Sequence, residues 1–185
     1  MSMAMEILNQ DHRNLDRLLT ALERQIVHLE RAEETDLDLI NAVLDYCLTY
    51  PDLCHHPKED LVLRQLRIRR PDAAETIGDL EEEHRKLADT TRRFAAAVHQ
   101  VLRGGAPPDN GFAQNARSFL EAYRYHMEME ETAFFPLAER HLTDEDWSVV
   151  DREVEQMVDP LFGGRVEERY KVLRNEILLW DEVAP

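Results

Sequence analysis

Leu8, His12, Leu15, Leu19, Leu22, Ile26 and Leu29 step along the chain by alternating fours and threes, and two further stretches repeat that spacing. Leu80, His84, Leu87, Thr91, Phe94, Val98 and Val101 form one; Phe112, Ala116, Phe119, Tyr123, His126, Glu130, Ala133 and Leu137 form the other. Alternating spacing of this kind is the signature of a helix that packs one seam against near-parallel neighbours. The chain has few places to break it: Arg31 to Thr35, Arg70-Pro71-Asp72, and the Gly/Pro-rich run from Arg103 to Gly111. Helices are therefore predicted over about 3–31, 36–69, 73–102 and 111–141, an all-α chain folded as an up-down-up-down four-helix bundle. Asp36, Asp72 and Asn110 are the expected N-caps, with Glu75 three positions after Asp72 in a capping-box-like arrangement.

The second helix is the irregular one. Leu37, Leu44 and Leu48 lead to Pro51, and the stripe resumes with His55, Glu59, Val62 and Leu66. Pro51 and Pro57 each lack a backbone donor and crowd the preceding turn, so a kink or bulge is expected between them.

Each seam is interrupted by a histidine, or by a histidine with a glutamate one turn on. "HHPKE" and "HMEME" place His55 with Glu59 and His126 with Glu130 on shared helix faces. With the predicted helix bounds, His12, Glu59, His84 and Glu130 all lie about ten residues from one end of the bundle, within roughly 3 Å of one another in depth. A lone seam histidine is ordinarily a satisfied core residue. Four helices converging on one level are not explained that way, because burying these groups without partners costs several kcal/mol. A metal site is the natural reason. Four imidazoles and two carboxylates exceed what one closed tetrahedral zinc takes, and carboxylates able to bridge favour a pair of redox-active ions such as iron. Glu59 and Glu130 could each span both ions, with His12 and His55 on one and His84 and His126 on the other.

The ordered set "NQDHRNL", "HHPKEDLVL", "EEEHRKL" and "HMEMEETAFFPL" resembles the hemerythrin-like family of histidine-histidine-glutamate (HHE) cation-binding proteins, over about residues 5 to 142. The resemblance implies a non-heme di-iron centre in a four-helix bundle, with ligand roles for His12, His55, Glu59, His84, His126 and Glu130. Oxygen-carrying hemerythrins have a second histidine one turn before the third-helix ligand and an aspartate as the last bridge. Here Leu80 and Glu130 stand in those places. One iron would then keep an open position, unless His56 fills it from the neighbouring helix; His56 is adjacent to His55 and about 100° around a regular helix, so its role stays open.

Other groups read as less functional. Glu81 and His84 make a single Glu-x-x-His pair where ferritin-like sites need two. His28, His99 and His141 are too distant along their helices and are expected on the surface; Tyr123 is expected in the core. Glu82, Glu83, Glu128 and Glu131 are expected on solvated faces, Glu131 with the option of orienting a ligand imidazole.

Bulk properties set the surroundings. In 185 residues, 38 Asp and Glu stand against 22 Lys and Arg, a formal net charge of −16, which disfavours nucleic acid and anionic membrane surfaces as partners. No apolar run is long enough to span a bilayer, and the start, MSMAMEILNQDH, lacks the features of a secretory signal. Cys47 and Cys54 read as reduced thiols rather than a disulfide framework. A cytoplasmic protein is expected. The bundle is assigned to residues 1–141 and a helical extension packing on it to 142–185, with Thr143 as an N-cap and Trp147, Phe162 and Trp180 as anchors. The functional expectation is a protein that binds or senses O2, NO or peroxide. The alternatives are a di-iron enzyme reducing peroxide or NO or supplying iron for cluster repair, and an iron storage or homeostasis protein. No general acid beside the irons, and no protein partner, can be named from the residues.

Overall fold

The computed structural model describes residues 2–104, 110–164 and 166–183, with the side chains of residues 110 and 178–183 left aside. Helix α1 (Met3–Glu30) is followed by α2 (Leu37–Cys47), a π-helical turn (Pro51–His55) and α3 (His56–Arg69), which together make the second arm of the bundle. A one-turn helix α4 (Pro71–Ala74) precedes α5 (Leu80–Leu102), the third arm. The fourth arm is α6 (Asn110–Met129), a second π-helical turn (Glu130–Phe134) and α7 (Phe135–His141). Helix α1 packs on α2 and α6, and α5 packs on the same two, as an up-down-up-down bundle requires. Among the described residues there is no strand, and no helix is long and apolar enough to cross a membrane.

Asp36 caps α2 as expected, accepting from the Leu39 amide. Asp72 does not cap the third arm. Gly78 ends the preceding 3-10 turn at φ +80, a conformation other residues avoid, and Asp79 caps α5 by accepting from Glu82. Asp72 instead pairs with Arg70. His84 consequently sits one turn into its helix rather than three. The expected Asn110 cap lies outside the described side chains.

Both π turns have one cause. Pro57 and Pro136 have no N–H to offer, and in each case the residue before the proline donates five positions back, His56 to Pro51 and Phe135 to Glu130. The turn in the second arm was foreshadowed by its prolines. The one in the fourth arm corrects the expected seam: beyond Glu130 the buried positions of the arm are Phe134, Phe135 and Ala138, while Ala133 is exposed and Leu137 only half-buried. One extra residue in the turn moves the stripe by one position.

The core comes in two clusters. At the near end, Leu8, Val62, Leu66, Leu80, Phe134 and Ala138 pack together; at the far end, Leu19, Leu22, Ile40, Phe94, Val98 and Phe119 do so. The extension supplies both. Trp147, Val150 and Val154 of α8 (Asp144–Val154), which Thr143 starts with a capping box to Asp146, join the near cluster. Leu161, Tyr170, Leu173 and Ile177, the last two on α9 (Lys171–Val183), join the far cluster, with Phe162 packed against it. Trp180 lies outside the described side chains.

Two substitutions test this description in urea titrations. Phe119→Ala, in the fully buried far cluster, is expected to cost about 3–5 kcal/mol. Gly78→Ala has open space around the new methyl, yet is expected to cost about 1 kcal/mol through its positive φ alone.

Candidate metal centre

Between the two core clusters lies a single polar layer. His12 falls between Leu8 and Leu15 on α1, and His84 between Leu80 and Leu87 on α5. His55 ends the first π turn and Glu59 follows it one turn on in α3, while His126 and Glu130 lead into the second. All six are buried, Glu59 and Glu130 completely. Because the π turn packs an extra residue into its loop, His56 is buried as well, beside His55.

The two carboxylates stand at the middle, each with one oxygen on each side. Glu59 Oε1 lies 3.4 Å from His55 Nε2 and 3.8 Å from His12 Nε2, while its Oε2 lies 3.4 Å from His84 Nε2. Glu130 Oε2 faces His12 Nε2 at 3.3 Å, and its Oε1 faces His126 Nε2 at 3.0 Å and His84 Nε2 at 3.6 Å. Donor atoms therefore gather into two sets, His12, His55, Glu59 and Glu130 in one, and His56, Glu59, His84 and His126 in the other, with the atoms of each set within 4.8 Å of one another. His56 joins the second set with its ring stacked on His84 at 3.7 Å and 7°. The place of Leu80 is taken up by the near core cluster, so the added imidazole comes from the next helix.

Outer partners hold the rings. The Nδ1 of His12 is 2.9 Å from Glu131 Oε1, that of His56 3.2 Å from Asp52 Oδ1, and that of His55 3.3 Å from Asp11 Oδ2. A carboxylate can only accept, so each places the proton on Nδ1 and leaves Nε2 to face the layer. The orienting role expected for Glu131 is thus seen. Asp11, Asp52 and Lys58 were not anticipated; Lys58 Nζ, itself buried, donates to Asp11 at 2.8 Å and to the Tyr50 hydroxyl at 3.1 Å. Asp52 could have been found, since it stands one turn before His56. Asp11 points across to another helix, and no spacing along the chain reveals that. Outside the layer, His99 is exposed, His28 and His141 are half-buried, and Tyr123 is a core residue donating to the Cys47 carbonyl.

Burial disfavours charge here, yet for His12, His84, Glu59 and Glu130 mutual contact overrides it. Against desolvation, the close Glu130 and Glu59 carboxylates lift His12 to about 10 and His84 to about 9. Desolvation would raise Glu59 and the Glu130 charge adds to that, but the His55, His12 and His84 imidazoles bring it down to about 2. Glu130 is likewise held well below the usual carboxylate range by His12, His126 and His84. His56, by contrast, is lowered, chiefly by burial. Of the eight buried side-chain atoms that make no hydrogen bond among the described residues, seven lie in this layer: Nε2 of His12, His84 and His126, and both oxygens of Glu59 and of Glu130; the eighth is the Tyr170 hydroxyl. Such converging, unsatisfied donors fit divalent cations, which would replace the protons that His12 and His84 otherwise retain.

A family model described as Hemerythrin HHE cation binding domain matches residues 3–138. Comparison with curated proteins and with solved structures found no match.

The raised imidazoles and depressed carboxylates fix a pH dependence for the metal-free chain. Above pH 6.5 the unfolded chain gives up imidazole protons that His12 and His84 keep until about 10 and about 9, so stability falls over that interval. Below pH 4.5 the unfolded chain takes up a proton that Glu59 refuses until about 2, so stability falls on that side too. Urea midpoints are expected to peak between those limits, and added ferrous iron is expected to remove the alkaline decline.

Proposed function

The chain belongs to the hemerythrin HHE cation-binding family, and from that premise we propose that it holds two iron ions side by side and uses them to bind or sense O2, NO or peroxide. In this reading His12 and His55 would hold one ion and His56, His84 and His126 the other, with Glu59, common to both sets, and Glu130, whose Oε1 lies 3.0 Å from His126 Nε2, serving the pair. The observation that carries it is the set of seven buried donor atoms without hydrogen bonds, drawn from four arms of the bundle to one level. Five imidazoles and two bridging carboxylates are too many for one tetrahedral zinc and suit a redox-active pair. Bound iron would supply an electrophilic, redox-active centre for a small ligand.

The chain's own residues do the rest. Asp11, Asp52 and Glu131 keep the Nε2 atoms of His55, His56 and His12 aimed inward. The near and far core clusters close the layer above and below, with the Phe135 ring 5.2 Å from that of His12. His56 supplies the second set with one more imidazole than the first, so the side of His12 and His55 has room for an incoming ligand. A groove of about 430 Å³ lined by Asp52, Asp60, Arg85 and Arg92 reaches the outer edges of His56 and His84, and a smaller one reaches His12 beside Glu131. The reading includes a cytoplasmic setting.

The test is anaerobic purification from iron-replete cells, an iron count, and absorption spectra through cycles of O2 and argon. About two irons per chain and reversible bands are expected; zinc alone would overturn the reading. Glu59→Ala and Glu130→Ala are expected to lose at least one iron, because each removes a bridge to both ions. Glu131→Gln and Asp11→Asn are expected to keep both irons with affinity weakened about 10–100-fold.

A further inference from the structure

Three tyrosines lead from the metal layer to the outside, and none is used by the function proposed above. The Tyr50 ring stacks on His55 at 6.5 Å and 28°, Tyr46 stacks on Tyr50 at 5.0 Å and 22°, and Tyr170 meets Tyr46 edge-on at 5.6 Å. All three are buried in the far core cluster, where phenylalanine would pack as well without a hydroxyl to desolvate. Two of the three have specific polar contacts, while the buried Tyr170 hydroxyl makes no hydrogen bond. The Tyr46 hydroxyl donates to Asp159 Oδ2 at 2.8 Å, and Lys58 donates to the Tyr50 hydroxyl. The chain ends at a surface cavity of about 950 Å³, lined by Asp159 and by Arg169, whose guanidinium sits 4.6 Å over the Tyr170 ring.

We propose that this aromatic file is an electron-entry route, by which a small one-electron reductant of the phenol or enediol class, docked in the cavity, re-reduces the metal centre after it has been oxidised by peroxide. The proposal rests on the iron reading. Redox-active side chains in near-contact shorten each electron step, and tyrosine among them requires a place for its proton. Tyr46 has one. On giving an electron towards the centre through Tyr50 and His55, Tyr46 passes its phenolic proton along the hydrogen bond to the Asp159 carboxylate and becomes a neutral radical. One electron from the reductant crosses the Tyr170 ring, which keeps its proton because its hydroxyl has no hydrogen-bond partner, and refills it, and the proton returns from Asp159. Two such turns, each consuming one reductant that gives up an electron and a proton, reduce one hydrogen peroxide to two waters.

Asp159 and Tyr170 both belong to the extension, so the route is completed only where residues beyond the bundle pack onto it. Tyr123 and Tyr125 provide internal controls. Tyr123 is buried but donates to a backbone carbonyl, and Tyr125 is exposed on the surface.

The test uses the full chain, its iron counted first. Iron-loaded protein is mixed with hydrogen peroxide, frozen within milliseconds, and read by electron paramagnetic resonance. A tyrosyl signal is expected that Tyr46→Phe removes and Tyr123→Phe and Tyr125→Phe leave in place. Ascorbate is expected to quench the signal quickly in the parent and slowly in Tyr170→Ala, which removes the ring between Tyr46 and the cavity. A signal that survives Tyr46→Phe, or equal quenching rates, overturns the route while leaving the iron reading intact. The metal-free chain separates the other case: in a Tyr125→Phe background, flash-generated ruthenium(III) tris-bipyridine is expected to give a radical lost in Tyr46→Phe. That result in a chain that takes up no iron would sink the iron reading and retain the oxidisable tyrosine; its absence would overturn the tyrosine's role.

Discussion

Everything in this fold is arranged around two carboxylates that have been taken out of water. Glu59 and Glu130 are fully buried, and an isolated buried carboxylate costs several kcal/mol even after its surroundings relax. The surrounding imidazoles are what make the arrangement tolerable, since each oxygen of each carboxylate has a ring nitrogen within 4 Å. Because this layer divides the apolar interior, each arm must change character within one turn, from leucine and phenylalanine to donor and back again.

Around that layer, the outer contacts form a second level of control. Asp11 links His55 to Lys58, a buried ion pair whose carboxyl is held low by His55 and Lys58 against desolvation. Pairing of this kind is weak evidence for stability. It does fix the ring of His55, and through Lys58 it fixes Tyr50, so the geometry of the metal layer and that of the adjoining aromatic file are set by one lysine.

Much of this was legible in the residues. The alternating seams announce three of the four arms, and the level shared by His12, Glu59, His84 and Glu130 was expected from counting along them, although the third arm was counted from 73 and α5 begins at Leu80. Other parts were hidden for physical reasons. Asp72 looked like the cap of the third arm, but Gly78 breaks the chain after it and hands the role to Asp79. His56 could not be placed because a regular helix turns it away from His55, and only a π turn brings both inside. Asp11 and Asp159 act across arms, at separations of 44 and 113 residues, where local periodicity carries no information.

The paired π turns make the centre a matter of chain length as much as of chemistry. Each is a single surplus residue held in place by a proline that withholds its amide. Removing Leu53 or Cys54 from Pro51–His55 would leave every donor present, yet it would let the helix wind regularly, swing one of the two adjacent imidazoles outward and rotate the near-end leucines against the far-end ones. A frame-preserving three-base loss there would do more harm than most exchanges of side chain, and the same holds for Glu130–Phe134.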